Sequence, residues 1–251
     1  MFKATIEDTG LLKDSMKTIS DLISEGLFQL EDDGIKLVAA DPAMVALVDF
    51  RLEEEAFEEY ELDEETKIGL NLENLYSILR RTKSDDTITF EVRDDDSKFY
   101  ITMEGASTRE FSLPILNLSE DDIPSTDDLD FSFEAELSTS IVEDAIKDAM
   151  VVSDSVVVEA DSDTITISSE GDQSNVEFNL SSDSDAVIEI EKDGHGKSMF
   201  SLDYLSDMVG AKKLADTVAV KMGEDFPMRM EFEQPDRARL SFVLAPRIEE
   251  E

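Results

Sequence analysis

The chain has 251 residues, of which 22 are basic and 62 are acidic, so its formal net charge at neutral pH is −40. Hydrophobic residues make up 41%, which excludes a purely disordered acidic tail. The lack of cysteine excludes disulfides, thiolate metal sites and a cysteine nucleophile, and the single histidine, His195, excludes a multi-histidine site. We therefore expect neither a metal nor a cofactor.

The apolar stretches are all far shorter than the ~20 residues that span a bilayer, and the N-terminus lacks a signal-peptide core. We expect a cytoplasmic protein. The acids are spread along the chain in runs no longer than triplets, such as 53–55 and 94–96. Cation binding and a surface tuned to molar salt both explain such acidity. The spread favours the second, a halophilic protein, because a dedicated acidic segment would form a longer run. Molar salt also removes most of the repulsion between the acids, since it shortens the screening length to ~3 Å.

Apolar residues at helical spacing predict four helices, at 10–24, 71–83, 139–152 and 202–213. Thr9 is the predicted N-cap of the first helix, Asn71 precedes the second, and Thr139 or Ser140 caps the third. Gly210 is the predicted stop of the fourth. Alternating patterns predict strands between the helices at 35–40, 45–52, 87–92, 156–160, 164–168, 176–180, 187–190 and 240–244.

The charge is unevenly distributed between these elements. The four helical segments hold eight basic and eight acidic residues, so the remaining 197 residues carry the whole excess of −40. A uniformly salt-adapted surface does not predict this difference.

A shift of 130 residues superposes the two halves of the chain. Leu12 falls on Val142, and Lys17 falls on Lys147. One shift that holds across helices and strands indicates a duplication. The predicted domains are 1–113 and 131–251, joined by a linker at 114–130.

Four segments carry a resemblance to a known family: Met-Phe-Lys-Ala at 1–4, Asp-Pro-Ala-Met-Val-Ala-Leu-Val at 41–48, Gly-Leu-Asn-Leu at 69–72, and Leu-Ala-Pro-Arg-Ile-Glu-Glu at 244–250. The chain resembles the DNA sliding clamps of the proliferating cell nuclear antigen type over its whole length. The resemblance implies an α+β DNA-clamp fold with two duplicated domains of curved antiparallel sheet and two helices each. Three subunits would form a six-domain trimeric ring with the helices lining the hole.

The resemblance also implies a function. Such a clamp is not an enzyme: it encircles duplex DNA independently of sequence and tethers replication and repair enzymes. The implied partners are two further copies in a homotrimer, a clamp loader, and DNA polymerase, flap nuclease and ligase, which bind through short peptide motifs. A subunit of a hetero-oligomeric clamp remains an alternative, and an acidic cation-binding protein is a weaker one.

The basic helix residues are the implied DNA-facing set: Lys13, Lys17, Arg80, Arg81, Lys83, Lys147, Lys212 and Lys213. The alternative reading is solvated charge paired with Asp14, Asp21 or Glu73. The third helix keeps one basic residue, Lys147, where the family usually has two or more.

Two further sets follow from the resemblance. The implied pocket for partner peptides consists of Met44, Val45, Leu47, Leu118, Ile123, Pro124, Pro227, Ala245 and Pro246. Core packing is its alternative explanation. The implied subunit interface consists of two edge strands with Arg109, Glu110, Phe111, Ser112 and Leu113 on one and Val176, Glu177, Phe178, Asn179 and Leu180 on the other.

Overall fold

The computed structural model describes residues 1–93, 97–119 and 129–248. Its contacts divide the chain into two units. The first unit contains Met1–Pro42, Val48–Pro124 and Gln234–Leu240, and the second contains Ala43–Leu47, Ser125–Glu233 and Ser241–Glu251. Part of the expected linker, including Ile123 and Pro124, lies outside the described residues.

The first half of the chain contains nine strands, two α-helices and a short 3-10 helix (Glu54–Ala56) among its described residues. They are β1 (Phe2–Ile6), α1 (Thr9–Leu22), β2 (Glu25–Glu31), β3 (Gly34–Ala40), β4 (Ala46–Glu53), β5 (Glu59–Leu62), β6 (Thr66–Asn71), α2 (Leu72–Leu79), β7 (Thr87–Val92), β8 (Lys98–Glu104) and β9 (Thr108–Pro114). The strands pair antiparallel in the orders β5-β1-β7-β8-β9 and β4-β3-β2-β6.

The second half repeats this order. Its elements are β10 (Phe133–Ser138), α3 (Thr139–Met150), β11 (Ser155–Ala160), β12 (Thr164–Glu170), β13 (Asn175–Ser181), β14 (Val187–Asp193), β15 (Gly196–Ser201), α4 (Leu202–Met208), a 3-10 helix (Val209–Lys213), β16 (Thr217–Met222), β17 (Met228–Gln234) and β18 (Ala238–Leu244). The orders β14-β10-β16-β17-β18 and β13-β12-β11-β15 match those of the first half. The predicted duplication is confirmed.

Each unit packs its two helices over the apolar faces of its strands. Helix α1 buries Leu12, Met16 and Ile19, and α3 buries Val142 and Ile146 at the duplicated positions. Alternating residues of the strands face the same core. A cavity of about 30 Å³ remains in each core, lined by apolar side chains in both units. These two spaces are packing gaps of the duplicated core.

The helix ends differ from the prediction in three places. Asp8, not Thr9, is the N-cap of α1, and its carboxylate accepts from the Leu11 N–H at 3.4 Å. Ser138 precedes α3, so the cap assignment to Thr139 or Ser140 was wrong. The fourth helix does not stop at Gly210, because the 3-10 helix continues the turn through Lys213. Asn71 does cap α2 and accepts from the Asn74 N–H at 2.9 Å.

Hydrogen bonds at the ends of β4 and β18 place these two strands side by side. In the first unit the Glu53 N–H donates to the Arg237 carbonyl at 2.9 Å, and in the second unit the Ala245 N–H donates to the Val45 carbonyl at 2.9 Å. Strands β9 and β13 differ from them: among the described residues, β9 pairs only with β8, and β13 pairs only with β12. No helix in the described part of the chain is both long and apolar enough to cross a membrane.

Candidate nucleic-acid and partner interfaces

The first unit presents a basic surface along α1 and the turn after α2. Lys17 binds Asp21 at 2.6 Å, one helical turn away. Arg80, Arg81 and Lys83 are exposed just beyond the end of α2. Within the described ranges, Lys13 and these three residues form no salt bridge. In the described part of the first unit, the pairing alternative therefore applies to Lys17 and not to the other four basic residues of the set.

The basic residues of the second unit have a different environment. Glu143 on α3 binds Lys147 at 2.8 Å and Lys212 of the 3-10 helix at 2.7 Å. The hydrogen bonds from Lys147 and then Lys212 hold the pKa of Glu143 below its usual value. The spacing of four residues makes the Lys147 contact readable from the sequence. The contact with Lys212 crosses 69 residues and gives no local signal.

Strand β9 carries one half of the expected subunit interface. Arg109 donates to the carboxylate of Asp86 and, at 3.1 Å, to the Arg81 carbonyl, so its guanidinium is held within its own unit. Leu113 is buried, whereas Phe111 is half-buried and Ser112 is exposed. Glu110 is exposed and binds Arg93 at 3.0 Å. The free edge of β9 thus combines an apolar row with an anchored arginine.

Strand β13 carries the other half and has the same burial pattern as β9. Leu180 is buried, and Val176 and Phe178 are half-buried on the same face. Glu177 and Asn179 are exposed on the opposite face, where the Asn179 amide donates to Glu177 at 2.8 Å.

A small apolar surface forms where the Val45 carbonyl accepts from the Ala245 N–H. Met44 beside it is 50% exposed and has a positive φ of 57°. Leu47, Pro227 and Pro246 are half-buried. Sequence reasoning missed Ile248, which is 89% exposed; an isoleucine next to a terminal acidic run was its only signal. We call Met44, Val45, Leu47, Pro227 and 245–248 the tail patch.

Leu118, the linker member of the implied pocket that lies within the described residues, belongs to the first unit. There the linker is joined to β6, because the Leu116 N–H donates to the Gly69 carbonyl at 2.8 Å. A Cβ on Gly69 would lie 2.5 Å from the Leu116 oxygen and 2.9 Å from the Leu118 side chain. Glycine is therefore required at position 69 for this close approach.

The tail repeats this arrangement in the second unit. The Arg247 N–H donates to the Met199 carbonyl at 2.7 Å, and Met199 is the counterpart of Gly69 after the shift of 130. The C-terminal tail is thus the duplicated equivalent of the linker. The last strands superpose with a shift of 131, because buried Leu113 then matches buried Leu244.

His195 contacts Glu224 at 3.2 Å on the surface of the second unit. Across 1–93, 97–119 and 129–248, no group of three or more His, Cys, Asp or Glu side chains is placed to hold a metal ion.

Comparisons with known proteins identify the class of this fold. The family model of the proliferating cell nuclear antigen N-terminal domain matches residues 1–124, and that of the C-terminal domain matches residues 125–247. The chain belongs to the proliferating cell nuclear antigen family. A DNA polymerase sliding clamp of Pyrococcus furiosus is 34% identical over 249 residues, which cover 99% of each chain, and one of Thermococcus gammatolerans is 33% identical with the same coverage.

Solved structures of similar proteins have the same fold. The antigen of Thermococcus kodakaraensis has a TM-score of 0.89 at 28% identity, covering 98% of this chain and 100% of that one. A PCNA2–PCNA3 complex of Sulfolobus tokodaii contains a chain with a TM-score of 0.89 at 26% identity, covering 98% and 99%. The expected fold of two duplicated domains is confirmed.

Proposed function

We propose that this protein is a DNA polymerase sliding clamp, a closed homotrimer that encircles duplex DNA and acts without chemistry of its own. It raises the local concentration of a tethered polymerase on its template. Family membership supports this proposal, and the full-length relatives carry the name of DNA polymerase sliding clamps.

One structural observation supports the proposed ring. Strands β4 and β18 are hydrogen-bonded within the chain, and their duplicated counterparts, β13 and β9, have free edges among the described residues. A free edge presents unpaired backbone N–H and C=O groups, which a partner strand can pair. We propose that β9 of one copy pairs with β13 of the next as β18 pairs with β4. Because the two edges are different surfaces, the contact is head-to-tail, and it forms a ring when the rotation between successive copies closes.

The duplication also predicts a register for this contact. Where β4 and β18 are hydrogen-bonded at their ends, the numbers of the two paired residues add up to 290, as for 53 with 237 and 45 with 245. Replacing β4 by β13 adds 130, and replacing β18 by β9 subtracts 131. Paired residues of neighbouring copies should therefore have numbers that add up to 289. Phe111 then lies opposite Phe178, and Leu113 lies opposite Val176. Both pairs join half-buried or buried apolar residues on one face, which is the arrangement that stabilises a sheet.

The electrostatic surroundings of the two edges are complementary. Arg81 and Lys83 lie near β9, since the Arg81 carbonyl accepts from Arg109. Helix α3, which packs on β13, exposes Asp144 and Asp148. Opposite charges favour the head-to-tail approach and oppose pairing of like edges.

The helical surfaces supply the proposed DNA contact, with Lys13, Arg80, Arg81 and Lys83 as its strongest members. Nonspecific binding of duplex DNA depends on phosphate neutralisation. The tail patch is the proposed binding surface for partner peptides, since exposed apolar groups suit aromatic anchors. Leu118, Ile123 and Pro124 of the linker remain proposed members of that pocket.

A subunit of a mixed ring is the second candidate, because one similar structure is a complex of two different chains. Equilibrium sedimentation of the pure protein in molar salt distinguishes the two. A homotrimer supports the proposal, and a monomer that assembles only with another chain supports the mixed ring.

The decisive experiment measures retention on DNA. The protein is loaded by its clamp loader onto nicked circular DNA or onto linear DNA of the same sequence, in high salt. A ring is retained on the circle and slides off the free ends of the linear molecule. Equal retention on both would contradict encirclement.

A further inference from the structure

The two halves of the duplicated chain present opposite charge on their helical surfaces. Segments 10–24 and 71–83 hold five basic and three acidic residues, whereas 139–152 and 202–213 hold three basic and five acidic ones. Half of this difference of four charges arises at one duplicated position. Lys13 on α1 corresponds to Glu143 on α3, while Lys17 corresponds to Lys147. A basic residue in the first half is thus replaced by an acidic one.

Glu143 occupies a central position among the basic residues of its unit. Its side chain is only 15% exposed, and its carboxylate binds Lys147 at 2.8 Å and Lys212 at 2.7 Å. The side chains of Lys147 and Lys212 are 60% and 40% exposed, so they lie on the solvent side of a carboxylate that is packed into the surface. Three charges therefore present a net charge of +1 where two free lysines would present +2.

We infer that Glu143 withholds Lys147 and Lys212 from nucleic-acid phosphates and so limits the DNA affinity of the α3 surface. This inference rests on the proposed DNA contact of the helices. A phosphate that approaches either lysine must compete with a carboxylate already in place, and that carboxylate repels the phosphate. The first unit has no such arrangement, because Lys13 forms no salt bridge in the described part of the chain. DNA is then held mainly by the α1 and α2 surface.

Chemistry supports a role beyond fixing α3 to the 3-10 helix. One carboxylate–lysine contact is sufficient for such a link, and exposed ion pairs contribute little to stability. The second contact, from Lys147 on the same helix, adds no connection between elements. Its effect is to neutralise a further basic side chain on the solvent-facing surface.

The test compares two variants of the full-length protein that change the net charge equally. Glu143→Gln removes the carboxylate that holds both lysines. Asp148→Asn removes an exposed carboxylate from the same helix, and no salt bridge involves Asp148 among the described residues. Affinity for a short linear duplex is measured by fluorescence anisotropy over a range of KCl concentrations, after sedimentation has shown that both variants keep the oligomeric state of the wild type.

Each released lysine that reaches a phosphate steepens the log–log salt slope by about 0.9, so two steepen it by about 1.8. We expect that change and a roughly tenfold gain in affinity at the lowest salt for Glu143→Gln. Asp148→Asn should keep the wild-type slope. Equal slopes for the two variants would overturn the inference, because a general field effect would then explain any gain.

A third variant keeps the inference testable if Glu143→Gln does not fold. Glu143→Lys installs the residue type found at the duplicated position in α1, and it should exceed Glu143→Gln in both affinity and slope. An affinity no greater than that of Asp148→Asn would also overturn the inference. Failure of the wild type to remain on circular DNA would contradict the encircling function, yet the duplex slopes would still decide the role of Glu143.

Discussion

The guanidinium of Arg109, on the free edge of β9, is bound to the carboxylate of Asp86 in the turn that follows α2. The side chain of Asp86 is only 3% exposed and also accepts from the Lys83 N–H at 2.8 Å. The Lys83 N–H first, and then Arg109, hold the pKa of Asp86 below its usual value. The shape of the turn and the position of the edge strand therefore depend on one ionised carboxylate.

This dependence gives a pH prediction. Because the pKa of Asp86 is lower in the folded than in the unfolded chain, its ionisation stabilises the fold above the unfolded value of about 3.9. That stabilisation is lost as the pH falls through the lower, folded value. Asp86→Asn should lower Tm at pH 7 and flatten the fall of Tm in acid. The exposed neighbour gives the control, Asp85→Asn, which should keep the wild-type profile in calorimetric scans.

Engineered cysteines test the register between copies. In the proposed pairing, Phe111 and Phe178 face each other in a non-hydrogen-bonded pair, where Cα atoms lie about 4.5 Å apart, within disulfide reach. The natural chain has no cysteine, so Phe111→Cys with Phe178→Cys should oxidise to covalent trimers. Phe111→Cys with Glu177→Cys places the thiols on opposite faces and should not. Equal cross-linking of both, seen on denaturing gels, would show that the register is wrong.

The tail patch predicts the effect of a charge on peptide binding. Met44→Asp should weaken a synthetic peptide with two adjacent phenylalanines by about 2 kcal/mol, roughly 30-fold, if Met44 is a central contact. Aspartate tolerates the positive φ at this position better than most residues, so the loop should keep its shape. Met150→Asp, at another exposed methionine on α3, is the control and should leave calorimetric affinity unchanged. A similar loss in both variants would argue against this patch.

Gly69 predicts how firmly the linker is held. Gly69→Ala introduces a Cβ into space occupied by Leu116 and Leu118, so the bond from the Leu116 N–H should weaken. Hydrogen exchange at that amide should accelerate by up to roughly tenfold, the effect of losing one net hydrogen bond. Gly10→Ala is the control, because its Cβ would be 3.4 Å from Asp8, an ordinary contact. Unchanged exchange in Gly69→Ala would mean that Gly69 does not determine the position of the linker.

The acidic composition predicts a response to salt. A net charge of −40 opposes the compact state through self-repulsion, and molar KCl screens that repulsion. We propose that the protein is adapted to such salt, so Tm should rise steadily between ~0.1 and 2 M KCl. Potassium glutamate at equal ionic strength should act similarly if screening is the cause. A flat Tm in both salts would count against salt adaptation.

The sequence predicted the features that depend on periodicity. Repeated apolar spacing located all four helices and the shift of 130, and Asn71 was placed beside its helix because a capping side chain acts within three residues. Thr9 was wrong as a cap because Asp8, one position earlier, offers the carboxylate that accepts from Leu11. Both are common capping residues, and composition alone does not choose between them.

The charged contacts of the site required the structure. Lys147 and Glu143 are four residues apart, but Lys212 reaches the same carboxylate through tertiary packing of the 3-10 helix against α3. Arg109 was expected at a subunit contact, yet it is engaged by Asp86, 23 residues away. The interface assignment itself stays a prediction.

The difference between the edges of β9 and β13 has a consequence for the size of the assembly that copies of the chain can form. An assembly that adds copies through two different surfaces has no intrinsic limit to its length. In the proposed ring, only the angle at each junction makes the third copy return to the first. A substitution that alters this angle while preserving strand pairing would convert a finite assembly into a helical fibre. Light scattering that increases with protein concentration would reveal such polymers. In the proposed assembly, the angle between copies therefore matters separately from the strength of their contact.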